Sequence, residues 1–130
     1  GGDVLFLVLH SGPVCTVGQE MYYSALVEQD TTRSIAEANA LMPEFRGPHG
    51  YDPVPVLQSL DVPALWLLGL EDRSIPIQVT LDNLKTLKAG GRPFDWRTYD
   101  GLGHSLGPAI WDDIGPWVST RAALNPSKGQ

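Results

Sequence analysis

Phe94-Asp95-Trp96-Arg97-Thr98-Tyr99, followed by Asp100-Gly101-Leu102-Gly103-His104-Ser105-Leu106-Gly107, is the stretch that decides the fold. Phe94 to Tyr99 reads as a short strand, the glycine-rich residues after it as a loop, and Pro108 to Leu124 as a helix. That order places His104 at the carboxyl end of a strand, where an open parallel sheet binds its ligands. An imidazole ionises near neutrality, so it takes and gives protons at working pH. The plain alternative is a histidine on a surface loop with no role.

Working outward, Val62-Pro63-Ala64-Leu65-Trp66-Leu67-Leu68-Gly69 is an apolar run of strand length. It leads into Leu70-Glu71-Asp72-Arg73-Ser74-Ile75-Pro76, and Pro76 opens a helix. Asp72 therefore also stands at the carboxyl end of a strand. If the two strands are parallel neighbours, Asp72 and His104 share one rim. A carboxylate there holds one tautomer of the imidazole and stabilises the imidazolium.

The rest of the chain alternates in the same way. Val4 to His10 is continuously apolar, as suits a parallel strand covered on both faces, and Ser11-Gly12-Pro13 stops it. Val17 to Phe45 reads as helical, with a second segment from Ser34 to Met42 and Asp30-Thr31-Thr32 either breaking the run or capping that segment. Arg46 to Pro55 is a proline- and glycine-rich loop on which His49 is expected to be exposed and inert, and Val56 to Leu60 a short helix. Ile77 to Ala89 is an amphipathic helix stopped by Gly90-Gly91. The final helix is expected to bury Ile110, Trp111, Ile114, Trp117 and Val118, to kink at Pro116, and to give way to a polar, frayed end from Asn125 to Gln130. The expected fold is α/β: a single domain over residues 1–130 with a three-stranded parallel sheet and flanking helices.

Pro63 to Gly69, the Asp72 loop with Ile75-Pro76, Gly103-His104-Ser105, Tyr51-Asp52-Pro53 with Leu57, and Val4 to Leu9 with Ser11-Gly12-Pro13 together resemble the last third of an α/β-hydrolase. The resemblance spans roughly Asp3 to Val118. It implies that Asp72 is the acid and His104 the base of a catalytic triad. It also implies that Val17 to Phe45 is a cap-like segment in which Met21, Tyr22, Tyr23, Met42 and Phe45 line an apolar acyl site. Ordinary core packing is the competing reading of those five. The family's nucleophile serine precedes its Asp and His within Gly-x-Ser-x-Gly. No such motif precedes Asp72, so the chain is expected to be a truncated α/β-hydrolase fold that begins after the elbow.

Two serines compete for the vacant role. Ser105 lies in Gly103-His104-Ser105-Leu106-Gly107, which spells the elbow motif between a strand and a helix, although no histidine follows it. Ser11 stands at the end of the first strand, where His104 could reach it and the amides of Gly12 to Val14 could serve an oxyanion. Ser-Gly-Pro is also plain turn chemistry. Cys15 would need a lowered thiol pKa, and His10 is either a rim residue or a direct participant.

The net charge of the chain is -6, with no basic stripe, so no nucleic-acid partner is expected. Its apolar runs fall well short of the roughly 20 residues of a membrane span. Histidines at positions 10, 49 and 104 have no metal-ligand spacing, and no metal or cofactor is expected. The expected compartment is the cytoplasm. The expected activity is serine-type hydrolysis of short-chain carboxylic esters, with a small-molecule ester as partner. The alternatives are a non-catalytic carboxyl-terminal module that folds by self-association, and a half-enzyme completed by a second polypeptide. With no neighbour on its far side, Val4 to Leu9 would be an exposed apolar edge, and pairing along it into a homodimer or larger homo-oligomer is expected.

Overall fold

The computed structural model describes residues 5–124. The expected frayed end at Asn125 to Gln130 and the start of the first strand at Val4 lie outside them. Three parallel strands, β1 (Leu7–His10), β2 (Ala64–Gly69) and β3 (Phe94–Tyr99), form one sheet in the order β1-β2-β3. Leu7 pairs with Ala64 and His10 with Leu67; Ala64 pairs with Phe94 and Gly69 with Tyr99. The first strand starts later than the apolar run suggests. Its partner ladder begins at Ala64, and Pro63 before it offers only a carbonyl, which accepts from the Leu7 amide at 2.8 Å.

β2 is buried along its whole length, which explains its unbroken hydrophobicity. Its side chains alternate between two cores. Ala64, Trp66 and Leu68 pack with Val14, Ile75, Ile77, Leu84, Leu87 and Phe94 against α4 (Ile77–Ala89) and the short α3 (Val54–Gln58). Leu65 and Leu67 pack on the other face with Leu106, Ile110 and Trp117, the last from α5 (Trp111–Leu124). The sheet is thus a central layer, with the connecting helices α3 and α4 on one face and the last helix, α5, on the other.

α1 (Val17–Gln29) and α2 (Ile35–Leu41) lie where one helical region is read from the sequence. Each begins with a reciprocal capping box, Thr16 with Gln19 and Ser34 with Glu37. Asp30 breaks the run, its carboxylate accepting from the Thr32 amide at 3.0 Å, while the cap of α2 is Ser34. The pair encloses a core of its own: Tyr23, Leu26, Val27, Ile35, Ala38 and Met42. Tyr23 and Met42 are therefore packing residues, Tyr22 stacks near Phe45 with ring centroids 5.3 Å apart, and Met21 is exposed.

α3 starts before Val56 because the Asp52 carboxylate accepts from the Val54 amide at 3.0 Å and nucleates the turn. At the end of the chain, Pro108–Ile110 forms a 3₁₀ turn ahead of α5. The tighter winding turns Ile110 inward and leaves Trp111 exposed, contrary to the expected buried face. No helix among the described residues is long and apolar enough to cross a membrane.

Candidate functional site at the carboxyl ends of the strands

The loop after β2 folds around Asp72. One carboxylate oxygen, Oδ1, accepts from the amides of Ser74 at 2.7 Å and Ile75 at 3.0 Å. The carboxylate is fully buried, and these bonds replace the water it has lost. The other oxygen, Oδ2, lies 2.9 Å from His104 Nδ1. With Nδ1–H donating to the carboxylate, the lone pair is on Nε2. The His104 side chain is 51% exposed, and among the described residues Nε2 has no hydrogen-bond partner. The arrangement is a buried acid, a fixed tautomer, and a basic nitrogen open to solvent.

The His104 loop reaches Asp72 by crossing the end of β2. Leu102 O accepts from the Glu71 amide at 2.9 Å, and the Leu70 amide donates to Tyr99 O at 3.0 Å. Gly69 makes the crossing possible. A Cβ there would stand 2.2 Å from Gly103 O and 2.4 Å from Leu102 O, both main-chain atoms. Sequence reasoning took Gly69 only as the end of a strand; a glycine closing an apolar run is the signal of a close backbone approach.

α1 braces the acid from behind. The buried Tyr23 hydroxyl donates to Asp72 O at 2.6 Å, and Arg73 Nη2 donates to Val27 O at 3.1 Å. Burial, with the Asp72 charge adding to it, pushes the Tyr23 phenol up to about 12, so it remains a donor at neutral pH. Between α2 and α4, beside Glu71, an open groove of about 490 Å³ has Ile35, Ala40, Leu70, Ile77 and Leu81 in its walls.

The two candidate serines are placed differently. Ser105 is exposed next to His104, but its backbone is not left-handed and it is separated from β3 by the loop from Asp100 to His104. It lacks the sharp strand-to-helix turn of an elbow. Ser11 directly follows β1 and is the one described non-glycine residue with positive φ, at 55°. Its side chain is buried, and its hydroxyl donates to His104 O at 2.5 Å. The hydroxyl therefore meets the main chain of the histidine and not its ring. The turn after Ser11 supplies no pair of oxyanion donors, because Pro13 has no N–H and the Val14 amide donates to Thr80 Oγ1 at 3.2 Å.

The remaining candidates have other partners. His10 Nε2 accepts a long contact from the Leu106 amide at 3.4 Å. Burial, then the charges of Glu20 and Asp52, pushes the Cys15 thiol up to about 12, the opposite of what a thiolate nucleophile needs. His49 is exposed as expected, yet its Nδ1 is 2.9 Å from Thr16 Oγ1, at the cap of α1.

No protein-family model and no curated protein sequence matches the chain. Among solved structures, a protein assigned as a dienelactone hydrolase from Klebsiella pneumoniae aligns with 93% of this chain and 88% of its own, at 12% identity and a TM-score of 0.46. That likeness is too distant to carry chemistry from one chain to the other.

Proposed function

We propose that this chain works in serine-type hydrolysis of short-chain carboxylic esters, with His104 as general base through Nε2 and Asp72 as the carboxylate that orients it. The observation that carries the reading is the 2.9 Å contact between a fully buried, amide-held Asp72 and a half-exposed His104 at the carboxyl ends of parallel strands. In such chemistry Nε2 takes the proton of an attacking serine hydroxyl and returns it to the departing alkoxide, while the carboxylate stabilises the imidazolium between the two transfers. Of the two candidate serines in this chain, Ser105 is the one open to substrate. The groove beside Glu71 is of a size that suits a small acyl or alkyl group.

The edge of the sheet favours a second reading. Among the described residues β1 pairs with β2 alone, and Leu5, Leu7 and Val8 are exposed. An apolar unpaired edge invites another strand. In this reading a second copy, or a different polypeptide, pairs along β1 and brings the nucleophile to His104; without it the chain is a non-catalytic module.

Intact-mass analysis after fluorophosphonate treatment, followed by peptide mapping, separates these readings. One adduct on Ser105, with saturable p-nitrophenyl acetate hydrolysis, is the expected result for a self-sufficient enzyme. A folded oligomer that takes up no label and turns over no ester excludes it. Sedimentation as a clean monomer at micromolar concentration counts against pairing along β1.

A further inference from the structure

Ser11 is held in a conformation that its residue type disfavours. A non-glycine residue at φ 55° crowds its Cβ against its own main chain, and glycine would take the same turn freely. Ser11 continues the ladder, its amide donating to Leu67 O at 2.9 Å, so the backbone on its amino side is set by the sheet. Its hydroxyl then spans the end of β2 and donates to His104 O at 2.5 Å from a site that is 3% exposed. One residue earlier, His10 Nε2 receives the Leu106 amide. The tip of β1 thus holds the His104 loop at two points, on either side of Ser105. On the other flank Asp72 holds the imidazole itself.

We propose that Ser11 is a positioning residue: its buried hydroxyl clasps the main chain of His104 and fixes where the imidazole stands over the strand ends. The inference rests on His104 being the base, and it gives Ser11 a role other than nucleophile. A hydroxyl whose hydrogen is committed to the main-chain carbonyl of His104 is poorly placed to be deprotonated by the ring of that same residue. The clasp also links the edge strand to the site, because β1 lies at the edge of the described sheet and its end, His10 with the following Ser11, holds the loop.

A turn residue and a clasp make different demands, and Ser11→Gly distinguishes them. Glycine keeps the positive φ and removes the hydroxyl; Ser11→Ala removes the hydroxyl and keeps the strain. With ¹⁵N-labelled histidine, the parent protein is expected to show His104 in a single tautomer, protonated at Nδ1. Both variants are expected to fold and to show averaging between tautomers. Where esters are turned over, kcat should fall about tenfold with KM little changed, as a misplaced base would produce. A folded Ser11→Gly protein with the parent's tautomer signature overturns the proposal. So does a fluorophosphonate adduct on Ser11. Failure of Ser11→Gly to fold also overturns it, because the hydroxyl would then serve the fold as a whole. If the parent hydrolyses no ester, the hydrolase reading falls, and the tautomer measurement still decides the clasp.

Discussion

Asp72 and Asp95 are two partnered carboxylates at opposite ends of the same sheet, and they do different things. Asp95, near the start of β3, is a closed knot. Lys88 Nζ donates to Oδ1 at 2.8 Å; Trp117 Nε1 and Arg121 Nη2 donate to Oδ2 at 2.8 and 2.7 Å. Partial burial alone would raise its pKa, but those three donors and the Lys88 charge outweigh it and hold the carboxyl at about 2. The knot ties α4 and α5 to β3, and every strong partner is another structural side chain. Asp72 is buried more deeply, takes two backbone amides, and gives its last oxygen to a histidine whose other nitrogen faces solvent. A carboxylate whose bonds all close within the fold contributes stability. One whose network ends on an exposed titratable ring has the means to move a proton.

Substitutions test that contrast in descending order of effect. His104→Ala is expected to lower ester kcat by about 10²–10⁴-fold, and to cost about 1–3 kcal/mol in urea titrations because Oδ2 of the fully buried Asp72 loses its partner. Retained turnover would remove the distinction between the two carboxylates. Gly69→Ala should disturb both properties, since its Cβ meets two main-chain carbonyls. Stability should fall by about 1–3 kcal/mol, and kcat by about a hundredfold as the His104 loop is pushed away. A crystal structure of the variant with an unmoved loop would contradict this.

Asp95→Asn is expected to act on stability alone, costing about 1–3 kcal/mol in denaturant titrations with kcat unchanged. The pH dependence carries a sign. A folded pKa of about 2, below the ordinary 3.8, gives stabilisation that is present above the unfolded value and lost as pH falls through the folded one. Acid titration of the parent should therefore show a loss between about pH 4 and 2 that is reduced in Asp95→Asn; identical curves would remove Asp95 from the account. Tyr23→Phe is the mildest change, about 1 kcal/mol for the lost bond to Asp72 O, with the Asp72–His104 contact kept. A large loss of turnover there would mean that α1 orients the acid and does not merely brace it.

Much of the frame was legible. Ile77 to Ala89 and Phe94 to Tyr99 have the same bounds in sequence and structure, because Pro76 and Gly90-Gly91 punctuate the helix and an aromatic residue stands at each end of the strand. α3 and β1 start elsewhere than their sequence patterns suggest because those starts depend on a carboxylate bonding to a nearby amide and on a proline just before the partner strand. Asp72 and His104 were legible as candidates because each follows a strand-like run; their contact was an inference from parallel pairing. Gly69 was read too weakly, and Asp95 was not singled out at all. An aspartate in a strand looks like solvent-facing alternation until Lys88, Trp117 and Arg121 arrive from two helices.

By itself the sequence determined the alternation of strands and helices, the unbroken apolarity of β2, and the placing of an aspartate and a histidine after strands. These follow from periodicity and from turn chemistry, which act over a few residues. Tertiary structure alone decided that Tyr23 and Met42 close a core, that the histidine loop crosses β2 over Gly69, and that the Ser11 hydroxyl meets the main chain of His104 and not its ring. Those contacts join residues far apart in the chain. Their geometry is set by sheet register and close packing, which no local pattern encodes.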